Sequence, residues 1–117
     1  MAADDYCYLT TTGRRTGRPH RIEIWYATDS DQLYLLSGGG RRSDWVQNLL
    51  ADSAVVVELG DAERHAVARV LEDGDEAERA RSLVYDKYAP RTGDDLTSWR
   101  QRALPVAIDL RPAPTQT

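Results

Sequence analysis

The stretch from Ala54 to Leu71 constrains the fold more than any other part of the chain. Ala54 to Leu59 reads AVVVEL, the most β-branched run present, and Gly60 and Asp61 follow it as a turn. From Glu63 to Leu71, Ala66, Ala68 and Val70 then alternate with His65, Val67 and Arg69. β-Branched side chains suit a pleated surface, and a period of two sends alternate residues to opposite faces of a strand. The segment therefore predicts a β-hairpin whose first strand is central to a sheet.

The rest of the chain supplies neighbours for that hairpin. Tyr6 to Thr12 reads as strand one. Arg21 to Thr28 reads as strand two, with Ile22, Ile24 and Tyr26 on one face and Glu23 and Trp25 on the other. Asp29, Ser30 and Asp31 form a turn, and Gln32 to Ser37 (QLYLLS) is a third strand, after which Gly38, Gly39 and Gly40 stop regular structure. Ser43-Asp44-Trp45 is a helix-start signal, because a serine side chain can accept from the exposed first-turn amides. This short helix ends at Asp52 and Ser53, with Trp45 and Leu49 facing inward. From Asp73, a stripe of Ala77, Ala80, Leu83, Val84 and Tyr88 predicts a second helix that Pro90 ends. A third helical stretch around Asp95 to Arg102 carries Leu96 and Trp99, and Pro105 to Leu110 (PVAIDL) is a last strand.

This order, β-β-β-α-β-β-α-α-β, is mainly β with helices added and mostly antiparallel. It excludes the alternating βαβ of a Rossmann domain and predicts a small six-stranded barrel or strongly bent sheet. A chain of 117 residues, 41% hydrophobic, is one domain's worth. The expectation is a single domain over 1–117, with an ordered core of about 6–110 and a flexible tail over Arg111 to Thr117. Cys7 is the only cysteine, so no intrachain disulfide can form, and the acidic N-terminus and the lack of a long apolar run predict a soluble, cytoplasmic protein without a stable membrane anchor.

Charge is distributed unevenly. The formal charge is −4, which argues against a general nucleic-acid binder, yet Arg14, Arg15, Arg18 and Arg21 crowd one turn without an intervening acid. The segment Thr10 to Arg21 joins threonine hydroxyls, two glycines and fork-shaped guanidinium groups between two strands, a combination suited to phosphate. No Gly-Lys-Ser/Thr follows, so it is not a Walker P-loop. A second loop, Ser37 to Trp45, carries Gly38, Gly39, Gly40, Arg41, Arg42 and Ser43 into a helix N-terminus, where amides and dipole favour an anion. Each loop alone also reads as an ordinary solvated turn or connector; together they favour one shared anionic ligand. His20 lies in the basic turn. Trp45 and Asn48 share a helix face, with Trp45 a core residue or a ligand platform. No metal-ligand cluster and no Ser-His-Asp or Cys-His arrangement is visible.

The residues resemble a known family. Leu9-Thr10-Thr11-Thr12-Gly13-Arg14-Arg15-Thr16-Gly17-Arg18-Pro19, Ser37-Gly38-Gly39-Gly40, Trp45-Val46-Gln47-Asn48-Leu49, and Trp99 before Leu104-Pro105-Val106 are similar to the deazaflavin (F420)-dependent nitroreductase family. The resemblance implies a split β-barrel of the flavin-reductase and pyridoxamine-phosphate-oxidase kind. It also implies coenzyme F420, an anionic deazaflavin with a phosphate and glutamate tail. Arg14, Arg15, Thr16 and Gly17 then match the turn that meets the tail, Ser37 and the glycines after it match the loop beside the ring, and Trp45 and Asn48 match the helix supporting that loop. His20, Trp25, Arg41, Arg42 and Ser43 complete the expected cofactor contacts. His20 and Gly38 replace an arginine and a lysine frequent in the family, which shifts the tail's counter-charge toward Arg15, Arg41 and Arg42. Arg91 to Ser98 lacks the tyrosines of family members that reduce nitroimidazoles or quinones, leaving Tyr88 as the candidate proton donor. The expected activity is hydride transfer from the reduced deazaflavin to a quinone, enone or nitro compound, by a possible homodimer. A non-catalytic deazaflavin- or lipid-binding protein, or an FMN-dependent oxidoreductase, are the alternatives on the same barrel.

Overall fold

The structure is a computed structural model that describes residues 6–92 and 95–110; the tail from Arg111 lies outside the described residues. Seven strands form one antiparallel sheet: β1 (Cys7–Thr12), β2 (Pro19–Ile24), β3 (Ala27–Asp29), β4 (Gln32–Ser37), β5 (Ala54–Leu59), β6 (Ala62–Val70) and β7 (Leu104–Asp109). Three α-helices accompany them, α1 (Asp44–Ala51), α2 (Asp75–Thr92) and α3 (Thr97–Arg102), with a 3-10 turn at Gly40–Arg42. The strand order is β2-β1-β5-β6-β7-β4-β3. The β5–β6 hairpin read from the sequence is present, with Val56 opposite His65, and β5 is interior to the sheet.

The seventh strand arises because the predicted strand two is divided. β2 pairs with β1 and β3 pairs with β4, at opposite ends of the order, with only Trp25 and Tyr26 between them. The sheet must curl to bring its two ends that close, which makes a half-barrel. At the break, the Tyr26 backbone bonds side chains: its amide donates to the Tyr88 hydroxyl (3.0 Å), and its carbonyl accepts from Lys87 Nζ (2.8 Å) and from the Tyr88 hydroxyl (3.1 Å). The alternation of strand two survives the break. Ile22, Ile24 and Tyr26 pack with one core cluster and Trp25 with the other.

Those two clusters lie on opposite faces of the sheet. The inner one gathers Leu9, Leu33, Leu35, Val57, Val106 and Ile108 with Trp45, Val46 and Leu49 of α1. The outer one sets Tyr34, Leu36 and Ala107 against Ala77, Ala80, Val84 and Tyr88 of α2. β4 therefore has both faces covered, which explains why QLYLLS runs apolar without alternation. Pro90 does not end α2: the helix continues to Thr92, with the proline in its last turn, where little helix remains to be disrupted. Surface ion pairs clamp α2 to the sheet. Arg69 donates to both carboxylate oxygens of Glu76 (2.7 and 2.8 Å), the Tyr34 hydroxyl donates to the same carboxylate (3.0 Å), and Arg79 pairs with Asp29.

Candidate functional site

Beyond Ala27 the β3–β4 ladder stops. β2 turns away to pair with β1, while β4 runs on beside β7 and into the Gly38–Gly40 loop. The outer edge of β2 and that loop consequently diverge, and a cavity opens at each end of the strand. One, of about 220 Å³, is lined by Gly13, Arg14, Arg15, Thr16, His20, Asp44 and Asn48. The other, of about 480 Å³, is lined by Tyr6, Glu23, Ile24, Trp25, Leu36, Leu96 and Trp99.

The basic cleft is shaped by hydrogen bonds. Gly17 closes the β1–β2 turn at φ +73°, a left-handed conformation that a side chain would strain, and its amide donates to Gly13 O (2.8 Å). Asn48, 2% exposed on α1, is the anchor. Its Oδ1 accepts from the Arg14 amide (3.1 Å) and from Arg14 Nη1 (2.9 Å), and its Nδ2 donates to Thr11 Oγ1 (3.1 Å). Arg14 also reaches the Asp44 carboxylate at 3.3 Å. The charge of the turn is thus partly answered within the protein, because Arg21 makes two bonds to Glu58 (3.0 and 3.1 Å) and stacks over Tyr8. Arg15, exposed on the cleft wall, meets no acidic partner among the described residues. The Arg15 and Thr16 amides likewise meet no acceptor among them. Two free amides, a free guanidinium and His20 around a small polar cavity form a donor set for an anion.

The second loop differs from its sequence reading in one respect. Ser43 stands at the N-cap of α1, but its side chain makes no capping bond. Its hydroxyl pairs with Ser37 Oγ (2.7 Å), and Ser37 Oγ also donates to Gly40 O (2.9 Å). The two serines tie the loop ends together across the glycines. Arg41 points to Glu72 rather than to either cleft, while Arg42 is exposed with no ion-pair partner among the described residues. Trp45, at 9% exposure, packs in the inner cluster beneath the loop.

The structure does not bring Tyr88 into a cleft. The residue is 2% exposed, its hydroxyl is held by the Tyr26 backbone, and its ring stacks against Trp25 at 4.3 Å and 5°. Burial pushes its phenol up to about 12. Burial does the same to the Cys7 thiol, also pushed up to about 12. Trp25 lines the apolar cleft, and Trp99 stands edge-on to it at 5.7 Å and 87°. Sequence reasoning did not assign Leu36, Leu96 and Trp99 to a site, nor Asp44. The three-residue spacing of Leu96 and Trp99, which puts them on one helical face, was the available signal.

The arrangement has solved counterparts. An F420-H2 dependent reductase, FDR-A, superposes with a TM-score of 0.74 at 22% identity, over 93% of this chain and 96% of that one. A chain described as a domain-swapped dimer gives 0.73 at 24% identity, over 92% and 81%. A putative pyridoxamine 5'-phosphate oxidase from Listeria innocua gives 0.65 at 19% identity, over 90% and 82%. These likenesses establish the split-barrel fold of flavin-reductase type expected from the loop motifs. A family model described as F420H(2)-dependent quinone reductase matches residues 1–111, and the chain belongs to that family.

Proposed function

We propose that this protein is an F420-dependent reductase that delivers a hydride to an electron-poor small molecule, with a quinone as the favoured class and enones or nitro compounds as further acceptors. One observation carries the reading: a polar, cationic cleft and an apolar, aromatic cleft lie at the two ends of one strand, β2. A ligand with an anionic tail and a flat ring fits that pair of surfaces. Arg15, His20 and the amides of Arg15 and Thr16 would hold the tail's phosphate and carboxylates, with Arg14 fixed behind them by Asn48 and Asp44. Trp25, Ile24 and Leu36 would face the ring.

When bound, the reduced deazaflavin supplies the hydride, so the protein needs no nucleophile of its own. What the chain contributes is position and environment. The tail contacts spend binding energy at a distance from the reacting carbon, which fixes the ring against the apolar wall. The apolar lining would set the ring in a weakly polar environment, and Ser37 and Ser43 hold the loop beside it through their own hydrogen bonds. Tyr88 acts as a support for Trp25 rather than as a proton donor, because its hydroxyl is committed to Tyr26.

The test is a fluorescence titration of the purified protein with F420 and, separately, with FMN. Micromolar or tighter F420 binding is expected, with Arg15→Ala weakening it by about tenfold or more through loss of a charge-assisted bond. Preference for FMN would replace the deazaflavin reading with a flavin one. F420 binding without turnover across quinones, enones and nitroarenes would make the protein a carrier.

A further inference from the structure

The apolar cleft needs a hydrogen-bond donor if an oxygen is to gain negative charge inside it. Of the hydroxyls near it, Tyr88 is held by the Tyr26 backbone and Ser37 by Gly40 and Ser43, while Tyr6 stands on the rim at 46% exposure, where water competes for its hydroxyl. Glu23 can only accept while ionised, and its carboxylate already takes the Tyr8 hydroxyl (2.9 Å).

Trp99 is different. Its pyrrole edge lies directly against Gly38: a Cβ at position 38 would stand 3.1 Å from Nε1 and 3.4 Å from Cδ1. The missing side chain is what allows that edge to sit so close to the loop. Trp25 holds the ring from another side, edge to face. Among the described residues Nε1 meets no acceptor, and yet it is absent from the sealed groups, of which Arg81 Nε alone lacks a partner. The indole N–H is therefore an unspent donor that is not sealed off, on a ring that lines the cleft and is fixed from two sides.

We propose that the Trp99 indole N–H is the donor that binds the acceptor's oxygen and stabilises the negative charge formed there during reduction, with Gly38 seating it. The proposal rests on the hydride-transfer reading. For a quinone, a C–H bond of the reduced deazaflavin breaks and an O–H bond forms on one quinone oxygen, two electrons passing with the hydrogen. The product is a hydroquinone monoanion whose other oxygen carries the charge, and the oxidised cofactor releases a proton. Trp99 donates its hydrogen bond to that charged oxygen and keeps its proton, since indole is donor only. A proton from water completes the hydroquinone.

Fluorine NMR titration of the cofactor-free protein tests this with two probes: pentafluorophenolate, which carries the oxyanion, and pentafluorobenzene, which lacks it. The wild type is expected to prefer the phenolate. Trp99→Phe keeps the ring and removes the donor, so phenolate affinity falls about tenfold while arene affinity changes by less than about twofold. Gly38→Ala keeps the indole but crowds Nε1, and shifts phenolate affinity in the same direction by a smaller factor. Unchanged phenolate affinity in Trp99→Phe, an equal loss of both probes, or no phenolate preference in the wild type overturns the proposal. The F420 titration is independent of these probes, so failure of the cofactor reading and failure of the Trp99 assignment register in separate measurements.

Discussion

The two ends of β2 are built in different ways. The basic cleft is assembled from one turn and one short helix, and a single buried side chain, Asn48, holds them together through three hydrogen bonds. The apolar cleft draws on residues from Tyr6 to Trp99, and its walls stand where they do because α2 and α3 pack behind them. Polar construction concentrates the cost of an error in one residue, while apolar construction spreads it over many contacts. Single substitutions should therefore damage the first cleft sharply and the second gradually.

The largest effect is expected at Asn48. In Asn48→Ala, Thr11 Oγ1 loses its partner inside the protein, the Arg14 amide loses its acceptor, and the Arg14 guanidinium keeps only Asp44. Leaving the buried Thr11 hydroxyl unpaired and breaking two part-buried bonds to Arg14 costs about 2–3 kcal/mol, a fall in melting temperature of roughly 10 °C for a chain of this size. Because the same bonds hold the β1–β2 turn, F420 affinity should fall in the surviving folded protein. A variant that melts like the wild type would show that the turn is held by other means.

Tyr88→Phe probes the other end with a smaller expected loss, about 1–2 kcal/mol by thermal melting. The hydroxyl that bonds both the amide and the carbonyl of Tyr26 is removed, but the ring that stacks on Trp25 stays. Hydride transfer at saturating acceptor should hold within about twofold, whereas a proton donor in the reaction would lose about a hundredfold or more. A large loss of rate without loss of stability would return Tyr88 to catalysis.

The same contrast explains what could be read from the sequence. The basic turn is local: Gly13, Gly17 and the arginines are contiguous, so their composition announces a site before any fold is known. What composition could not give is which cations remain available. Arg14, Arg21 and Arg41 are answered by Asp44, Glu58 and Glu72, residues 30 or more positions away. The β5–β6 hairpin and the stripe of α2 were legible because their periodicity survives burial on one face. The break at Trp25–Tyr26 was not, because the alternation continues through it and the side chains that take up the Tyr26 backbone there lie about 60 residues on. The apolar cleft was illegible for a similar reason. Nothing in the neighbourhood of Trp99 points to Gly38; the chain brings them together only by closing the half-barrel and laying α3 across it.

The smallest effect concerns the clamp behind the apolar cleft. Hydrogen bonds from Arg69, and then from Tyr34, hold the Glu76 carboxyl below its ordinary 4.5. A depressed carboxyl stabilises the fold fully above its unfolded value, and that contribution is lost as pH falls through the folded one, because the unfolded chain takes up the proton first. Both partners are substantially exposed, at 48% and 37%, so solvent and salt screen the pair and the effect is modest. Wild type and Glu76→Gln should thus differ by no more than a few degrees in melting temperature at about pH 7. The two curves should converge as pH drops below 4.5, with the variant's profile the flatter of the two. Curves that stay parallel from neutral to acid pH would mean that the charge of Glu76 is idle and that α2, and with it Trp25, is kept in place by its packing and its other ties, Arg79 to Asp29 and Lys87 and Tyr88 to Tyr26.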